Sequence, residues 1–330
     1  MSMAWPLLLL LPLTTTSAWQ HAGTAGPKIS GAATGVTACG KLLLFGGLDE
    51  NRVASGDCWV FDGGSWAKVA TTGGGPGPRM YASGNVQRTG SREEFVVAGG
   101  WDPEAAGSGG SFKDDVWALD VATMAWMRED PLPCGPVSRH GSVAVADRSY
   151  VHTFREDHVL RRDACGVLKA HRTSGDAPNG MSMCAMAPLG DSGRLVVFGG
   201  SSKDQGFSGE TRLLDTRTYE WTKLSCAGPS PRGSCAAAAL DGSRVLVFGG
   251  AGVGPAGYDG GKGLVATDET WVLTVDDAAD AAKWTKVDAP HAPPPRVAAS
   301  LEALPGRLVL CGGWDPATGS TFDDVWTYPL

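Results

Sequence analysis

Short apolar runs that end in two glycines recur along the chain. Residues 194–200 read RLVVFGG, and related segments occupy 41–47, 94–100, 244–250 and 307–313. Four successive apolar residues are typical of a strand that is buried on both faces, and the glycine pair marks a place where the backbone has no room for a side chain. The five copies therefore predict equivalent inner strands of a repeat protein.

The glycine pairs are spaced by close to fifty residues. Their second glycines lie at positions 47, 100, 200, 250 and 313, so the interval from 100 to 200 is about twice the others. A period of roughly 50 residues is typical of propeller blades that contain four strands each. The double interval therefore predicts a sixth repeat that has lost its glycine pair, with segment 148–154 in the place of the glycine-ended strand.

Two further landmarks follow each glycine pair. The first is an acidic residue that leads into an aromatic strand, as in segments 57–62 (DCWVFD) and 114–120 (DDVWALD). The second is a strand with a tryptophan and alternating polar residues, which is typical of a half-exposed outer strand; its tryptophans are Trp66, Trp126, Trp221 and Trp284. Each repeat is therefore predicted to run from an innermost strand to an outer tryptophan strand.

These landmarks, in this order, resemble the kelch family over almost the whole chain after residue 18. The resemblance implies an all-β fold, a six-bladed kelch-type β-propeller with four antiparallel strands per blade. The outer tryptophans are then expected to wedge between neighbouring blades. In the third, degenerate blade, His171 is predicted to replace the outer tryptophan, since it lies 45 residues after Trp126 and 50 before Trp221.

The two chain ends complement each other. The sixth repeat stops at segment 323–330 without an outer strand, whereas segment 16–20 (TSAWQ) looks like an outer strand without a blade. We therefore expect the N-terminal strand to complete the C-terminal blade and close the ring, which removes the open sheet edges that favour aggregation. Residues 16–330 are then a single propeller domain.

Residues 1–15 are predicted to be an apolar leader. The segment 5–13 (WPLLLLLPL) is too short to span a bilayer and resembles the apolar core of a secretory signal peptide, but no basic residue precedes it. No transmembrane segment is predicted. The sequence leaves both a cytoplasmic and a secreted or endomembrane location open.

Charge and residue content restrict the functions to be considered. The net charge is −7 and the basic residues form no cluster, which argues against a nucleic-acid partner. The six histidines and eight cysteines form neither a close histidine pair nor a CxxC motif. We therefore predict no cofactor and no metal site, and we identify no catalytic residue.

A Pro-x-x-Arg motif lies just before four of the innermost strands. Its arginines are Arg79, Arg139, Arg232 and Arg296, and Lys28 and Asn179 are assigned the equivalent places in the other two blades. In a four-stranded blade this position lies on the same face as the connection between the two middle strands. The cations are thus predicted to form a positive ring that binds a carboxylate or an acidic peptide. The alternative is that each arginine bonds carbonyl groups of a neighbouring blade.

Two tryptophans in the middle connections are further candidates. Trp101 and Trp314 each open the sequence Trp-Asp-Pro, and each is followed by a phenylalanine, Phe112 or Phe322. A tryptophan in a surface loop is a candidate binding anchor. The alternative is that it packs on the phenylalanine of its own loop.

The predicted function is that of a monomeric scaffold for a protein or peptide partner, which can be acidic. The binding face is the one that carries the predicted cation ring and the middle connections. Some kelch propellers are enzymes, so the alternative is an enzyme or a metal-dependent modifier of a small molecule at the channel mouth. Convergence of three or more histidine, tyrosine or carboxylate side chains at that mouth distinguishes the two hypotheses.

Overall fold

The chain folds into six antiparallel sheets arranged as the blades of a propeller around a central channel. The structure, a computed structural model, describes residues 19–104, 109–145, 148–153, 157–255, 257, 263–276 and 281–330. No helix occurs in these residues, and each blade has four main strands. The predicted six-bladed kelch-type propeller is therefore confirmed. The leader predicted at residues 1–15 lies outside the described residues.

The main strands of each blade run outward from the channel in chain order, except that the last blade takes its outer strand from the N-terminus. Blades one to three contain Ala33–Val36, Leu42–Phe45, Cys58–Phe61 and Trp66–Val69; Ser83–Thr89, Arg92–Ala98, Val116–Asp120 and Ala125–Glu129; and Gly141–Val145, Arg148–His152, His158–Arg162 and Leu168–Arg172. Blades four to six contain Ala185–Pro188, Arg194–Phe198, Thr211–Asp215 and Glu220–Leu224; Ala236–Ala239, Arg244–Phe248, Thr270–Asp276 and Ala281–Val287; and Ser300–Leu304, Arg307–Cys311, Asp324–Pro329 and Gln20–Ala25.

Short strands decorate some of the blades. Three hairpins extend the middle connections of blades two, four and five; they are Trp101–Asp102 with Ser111–Phe112, Ser201–Ser202 with Gly206–Phe207, and Ala251–Val253 with Leu264–Ala266. A further two-residue strand, Ser174–Gly175, runs parallel to the outer strand of blade four. The three hairpins all stand on one face of the ring.

The N-terminal strand closes the ring as predicted, but the strand is Gln20–Ala25 instead of residues 16–20, of which 16–18 lie outside the described residues. Gln20 pairs with Thr327 and His21 with Trp326 in antiparallel register. The preceding Trp19 is buried, and its indole Nε1 donates a hydrogen bond of 2.8 Å to Thr270 Oγ1 in blade five. Trp19 and the strand that follows it thus join the last blade to blade five.

The core lies between neighbouring blades and is formed by the buried glycine-ended strands and the outer tryptophans. Trp284 of blade five packs edge-on against Phe198 of blade four, with ring centroids 5.1 Å apart. Trp126 of blade two packs in the same way against Phe45 of blade one, at 5.4 Å. The predicted wedging of tryptophans between blades is therefore observed.

Blade three departs from this pattern, and one sequence-based assignment in it is wrong. Leu168 pairs with Arg162 in the register that Trp126 shares with Leu119 in blade two, so Leu168 holds the outer tryptophan position. His171 lies three residues further along, where its ring stacks on Tyr219 of blade four at 4.5 Å. The turn that precedes the outer strand, not the distance to neighbouring tryptophans, sets the register.

A buried ion cluster accompanies the loss of that tryptophan. Arg162, only 1% exposed, stands where blades two and four have leucine, and its Nη2 lies 2.7 Å from Glu94 Oε2 of blade two. Its Nε donates to Glu129 Oε2 at 3.0 Å. Buried charges need partners, and the two glutamates supply them for Arg162. At the junction of blades two and three, this cluster occupies the space that apolar side chains fill at the equivalent position of other blades.

Candidate binding site at the channel mouth

A closed ring of backbone hydrogen bonds surrounds the channel at the face that carries the hairpins. One residue of each blade donates its N–H to the carbonyl of the corresponding residue in the preceding blade, at 2.7–3.1 Å. We call these six residues the collar; they are Gly31, Tyr81, Arg139, Met183, Ser234 and Ala298. All six have φ between +53° and +66°, a conformation that costs energy in any residue other than glycine. The closed ring of bonds holds them there.

The collar is uneven in side-chain size. Tyr81, Arg139 and Met183 on blades two to four carry long side chains, whereas the collar residues of the other three blades are glycine, serine and alanine. Above the collar lies a cavity of about 660 Å³, which we call the vestibule. Its aromatic lining consists of Tyr81, Trp101, Phe207 and Trp314. A cavity with mixed aromatic and polar walls of this volume is within the size range of ligand sites.

The charged groups that line the vestibule are all cations. They are Arg52, Arg139 and Lys203, and no carboxylate occurs among the described lining residues. The Arg139 guanidinium lies 4.9 Å from the centre of the Tyr81 ring and 5.5 Å from that of Trp101. Arg52 lies 4.9 Å from the centre of the Trp314 ring. These contacts hold two planar cations against aromatic faces, where their hydrogen-bond donors stay available.

Tyr81 is a neutral hydrogen-bonding group in this site. Burial raises the pKa of its phenol, although the nearby Arg139 and Arg52 and a hydrogen bond from the Trp314 indole act to lower it. The hydroxyl therefore keeps its proton at neutral pH. Since it accepts a bond from Trp314, its own O–H remains able to donate to a ligand.

Three of the predicted ring arginines are buried instead of lining the vestibule. Arg79, Arg232 and Arg296 are each at most 5% exposed, and each pairs with a carboxylate at or directly before the start of the third strand of its blade. Arg79 donates to both oxygens of Asp115, at 2.5 and 2.9 Å, and to the carbonyl of Gly99 at 2.9 Å. These arginines are thus structural, as in the alternative, but the carbonyl that Arg79 bonds belongs to its own blade and not to a neighbouring one.

The buried pairs also perturb their carboxylates. Burial by itself raises the pKa of Asp115, but the hydrogen bonds and charge of Arg79 outweigh it, so the pKa lies below its usual value. Asp324 beside Arg296 behaves in the same way. Both carboxylates are thus ionised partners of the arginines, and these guanidinium groups have little capacity left for a ligand.

The assigned equivalence of the ring residues is wrong for Lys28, Arg139 and Asn179. Arg79, like Arg232 and Arg296, lies two residues before the collar residue of its blade, whereas Arg139 is itself a collar residue. Lys28 lies three residues before Gly31, is exposed and pairs with Glu50 at 2.9 Å, and Asn179 lies four residues before Met183. The proline fixes only local backbone geometry, whereas hydrogen bonds to the neighbouring blade decide which residue reaches the channel.

Both predicted tryptophans line the vestibule. The indole of Trp101 also donates a hydrogen bond of 3.0 Å to the carbonyl of Gly109 in its own hairpin, where Trp101 pairs with Phe112. Trp314 bonds Tyr81 and stacks with Arg52. Each indole ring therefore lines the cavity while it remains held by contacts within the protein. Sequence reasoning missed Arg52, Lys203 and Phe207, which lie in the middle connections of blades one and four, and Tyr81, which counting two residues on from Arg79 would have found.

Four exposed apolar residues lie on the same face of the ring as the vestibule, and we call them the apolar rim. Val53, Phe112, Val253 and Val265 lie in the middle connections or their hairpins, and 43–54% of each residue's surface is exposed. Val253 also lines the vestibule. Exposed apolar residues on the face that carries a cavity are typical of interaction sites.

The described vestibule lining contains one tyrosine, no histidine and no carboxylate. Nowhere in the described part of the chain do three or more histidine, cysteine or acidic side chains form a group that could hold a metal ion. No disulfide joins any of the eight cysteines, all of which lie in the described residues.

Within residues that the structure describes, no helix is long and apolar enough to cross a bilayer.

The fold and the repeated buried pairs of an arginine with a carboxylate define a kelch-type propeller. The family profile for the KLHDC2/KLHL20/DRC7 Kelch-repeats domain matches residues 8–165 and 166–330. The chain therefore belongs to this family of kelch-repeat proteins. A solved structure described as "Structure of YjhT" superposes with a TM-score of 0.67 at 16% identity, covering 91% of this chain and 95% of the other, which shows a shared fold.

Curated relatives match over parts of their length. The flagellar outer arm dynein alpha chain of Chlamydomonas reinhardtii is 29% identical over 160 residues, 46% of this chain and 3% of the relative. Acyl-CoA-binding domain-containing protein 4 of Arabidopsis thaliana is 30% identical over 201 residues, 56% of this chain and 29% of the relative. The chain thus spans less than a third of either relative, and the similarity concerns the propeller region.

Proposed function

We propose that this propeller is a binding module that holds a segment of a partner protein or peptide on the collar face. The observation that carries the proposal is that the vestibule and the exposed apolar rim lie on one face and share Val253. A segment laid across the face would cover Phe112 and Val253 and place one side chain in the vestibule between Trp101 and Trp314. Buried aromatic anchors inside an apolar surround are the usual centres of protein interfaces.

The family membership supports the same proposal in coarser form. Kelch propellers are general scaffolds for protein binding, and the middle connections that form this face differ in length and sequence from blade to blade. Loops on a rigid scaffold are where binding specificity usually resides. The repeated strands supply the scaffold, and the hairpins of blades two, four and five supply the individual surface.

A selection from a random peptide display library on the full chain tests this proposal. We expect enriched peptides whose affinity falls at least tenfold on Phe112→Asp or Val253→Asp, because a buried carboxylate in the rim would oppose apolar contact. Val167→Asp is the matched control, since Val167 is equally exposed (46%) but lies in a turn on the opposite face. Failure to enrich any peptide, or enriched peptides that ignore both rim changes, would overturn the proposal.

A further inference from the structure

The collar residue Arg139 is a confined cation that has no carboxylate partner among the described residues. The residue is half-buried, and its Nε is shielded from solvent without a hydrogen-bond acceptor. In the described part of the chain, no carboxylate lies within ion-pair distance of it. A guanidinium that has lost water and gained no anion is destabilising, so such an arrangement is typical of a binding site that is completed by its ligand.

Comparison with the other collar residues shows that only blade three has an arginine at this position. At the collar position, four of the other five blades have glycine, serine, alanine or methionine, and the fifth has Tyr81. The closed hydrogen-bond ring fixes the Arg139 backbone, and the rings of Tyr81 and Trp101 confine the guanidinium. The donors of Arg139 are thus held in one place before any ligand arrives, which reduces the entropy cost of binding.

The surroundings of Arg139 favour an anion over a neutral group. Arg52 and Lys203 add two more cations to the wall, and the Tyr81 hydroxyl adds a neutral donor. The net charge of the whole chain is −7, so this local excess of positive charge is opposite to the overall balance. A planar guanidinium with one neighbouring hydroxyl matches the two oxygens of a carboxylate.

From these observations we infer that the vestibule binds a carboxylate, carried by an acidic side chain of the bound segment, with Arg139 and the Tyr81 hydroxyl as its donors and Arg52 and Lys203 as flanking charges. This inference rests on the proposed function of the face. Trp101 and Trp314 would enclose the aliphatic part of the acidic side chain. The three buried Pro-x-x-Arg arginines take no part, because their donors are already committed to Asp115, Glu269 and Asp324.

Small probes test the carboxylate site without knowledge of the partner. N-acetylglutamate α-amide and N-acetylglutamine α-amide differ only in the side-chain carboxylate, and their binding can be followed by the indole NMR signals of Trp101 and Trp314 at constant ionic strength. We expect saturable shifts with the glutamate compound and at least tenfold weaker binding of the glutamine compound. Arg139→Gln should abolish this preference, because it removes the fixed guanidinium.

Arg128→Gln is the matched control variant. Arg128 is an exposed arginine that also stacks on a tryptophan, with its guanidinium 6.0 Å from the centre of the Trp117 ring. It lies on the outer strand of blade two, away from the vestibule. It should keep the preference for the glutamate compound. Equal binding of both compounds, an unchanged preference in Arg139→Gln, or stronger binding of inorganic phosphate than of the glutamate compound would overturn the inference.

The two proposals fail in different ways. If display selection gives rim-dependent peptides without any required acidic residue, the binding module stands and the carboxylate inference is wrong. If selected peptides need an acidic residue, changing it to its amide should weaken binding to the wild type at least tenfold and leave binding to Arg139→Gln nearly unchanged. If the free glutamate compound binds as tightly as any selected peptide, the source is a small carboxylic acid and the inference of a segment-borne side chain is overturned.

Discussion

Arginines occur at two positions of the segment that enters each blade: in the collar, and two residues before it. The two positions have different surroundings at the channel mouth. Arg79, Arg232 and Arg296 lie beneath the collar, buried and paired with carboxylates of their own blades. Arg139 lies in the collar beside a cavity, against two aromatic rings, and no carboxylate is among the described residues that line this cavity. The residue type and the preceding proline are the same in both layers. Register against the neighbouring blade therefore decides whether an arginine is buried beside a carboxylate or lines the vestibule.

The buried layer should be essential for stability, and Arg296→Gln is the strongest test. Arg296 is only 1% exposed, and it donates hydrogen bonds to Asp324 and to the carbonyl of Gly312. Its guanidinium lies 3.9 Å from the centre of the Phe322 ring. The substitution would leave Asp324 with an unpaired charge in a partly buried place. We expect the free energy of unfolding, measured with urea, to fall by about 3–5 kcal/mol.

A second variant separates charge from packing at this position. In Arg296→Met with Asp324→Asn no charge remains, so part of the lost stability should return even though the hydrogen bonds do not. A loss below about 1 kcal/mol for Arg296→Gln alone would show that the buried layer is not structural, because such a value is typical of an exposed ion pair.

Much of the fold could be predicted because short sequence patterns indicate it. The glycine-ended strands, the outer tryptophans and the orphan strand around Trp19 are each visible within a few residues, and together they predict six blades and the closure of the ring. What was missed depends on contacts between distant segments. Arg162 finds its partners Glu94 and Glu129 at 68 and 33 residues' separation, so no local pattern marks it as buried.

The site was predicted in part for the same reason. Loops and a repeated motif pointed to Trp101, Trp314 and Arg139, and the structure places all three around the vestibule. The assignment of Lys28 and of Asn179 to a common ring was wrong, because proline spacing does not fix how far the chain runs before it bonds the next blade. Arg52 and Lys203 come from connections of different length, which carry no repeat from which a position could be inferred.

The channel beneath the collar contains the converse of Arg139, a carboxylate without a cation. Glu302 accepts a hydrogen bond of 2.7 Å from Thr34 Oγ1, and the described residues that line this part of the channel include no cation. Burial raises the pKa of Glu302 to about 7, although the Thr34 bond acts to lower it. The folded state therefore holds this proton at a pH where an unfolded glutamate, with a pKa of 4.5, has released it.

The sign of this shift predicts how Glu302→Gln changes stability with pH. Below about pH 4.5 the carboxyl is protonated in both states, so the variant should match the wild type. As pH rises through 7 the wild type loses stability that the variant keeps. At pH 8 we expect Glu302→Gln to be more stable by about 1–3 kcal/mol in urea unfolding. A gain that is the same at pH 4 and pH 8 would contradict titration of Glu302 as its cause.

The smallest effect on stability is expected for Arg139→Gln, although its effect on binding is expected to be large. The substitution loses two cation contacts to Tyr81 and Trp101 but also removes a half-buried charge that has no anion. These contributions oppose each other, and glutamine keeps the collar hydrogen bonds because they are made by the backbone. We expect the free energy of unfolding to change by less than about 0.5 kcal/mol, against several for Arg296→Gln, when both variants are unfolded in urea under the same conditions. If the two variants lost stability equally, Arg139 would be another structural arginine, and the distinction between the two layers would disappear.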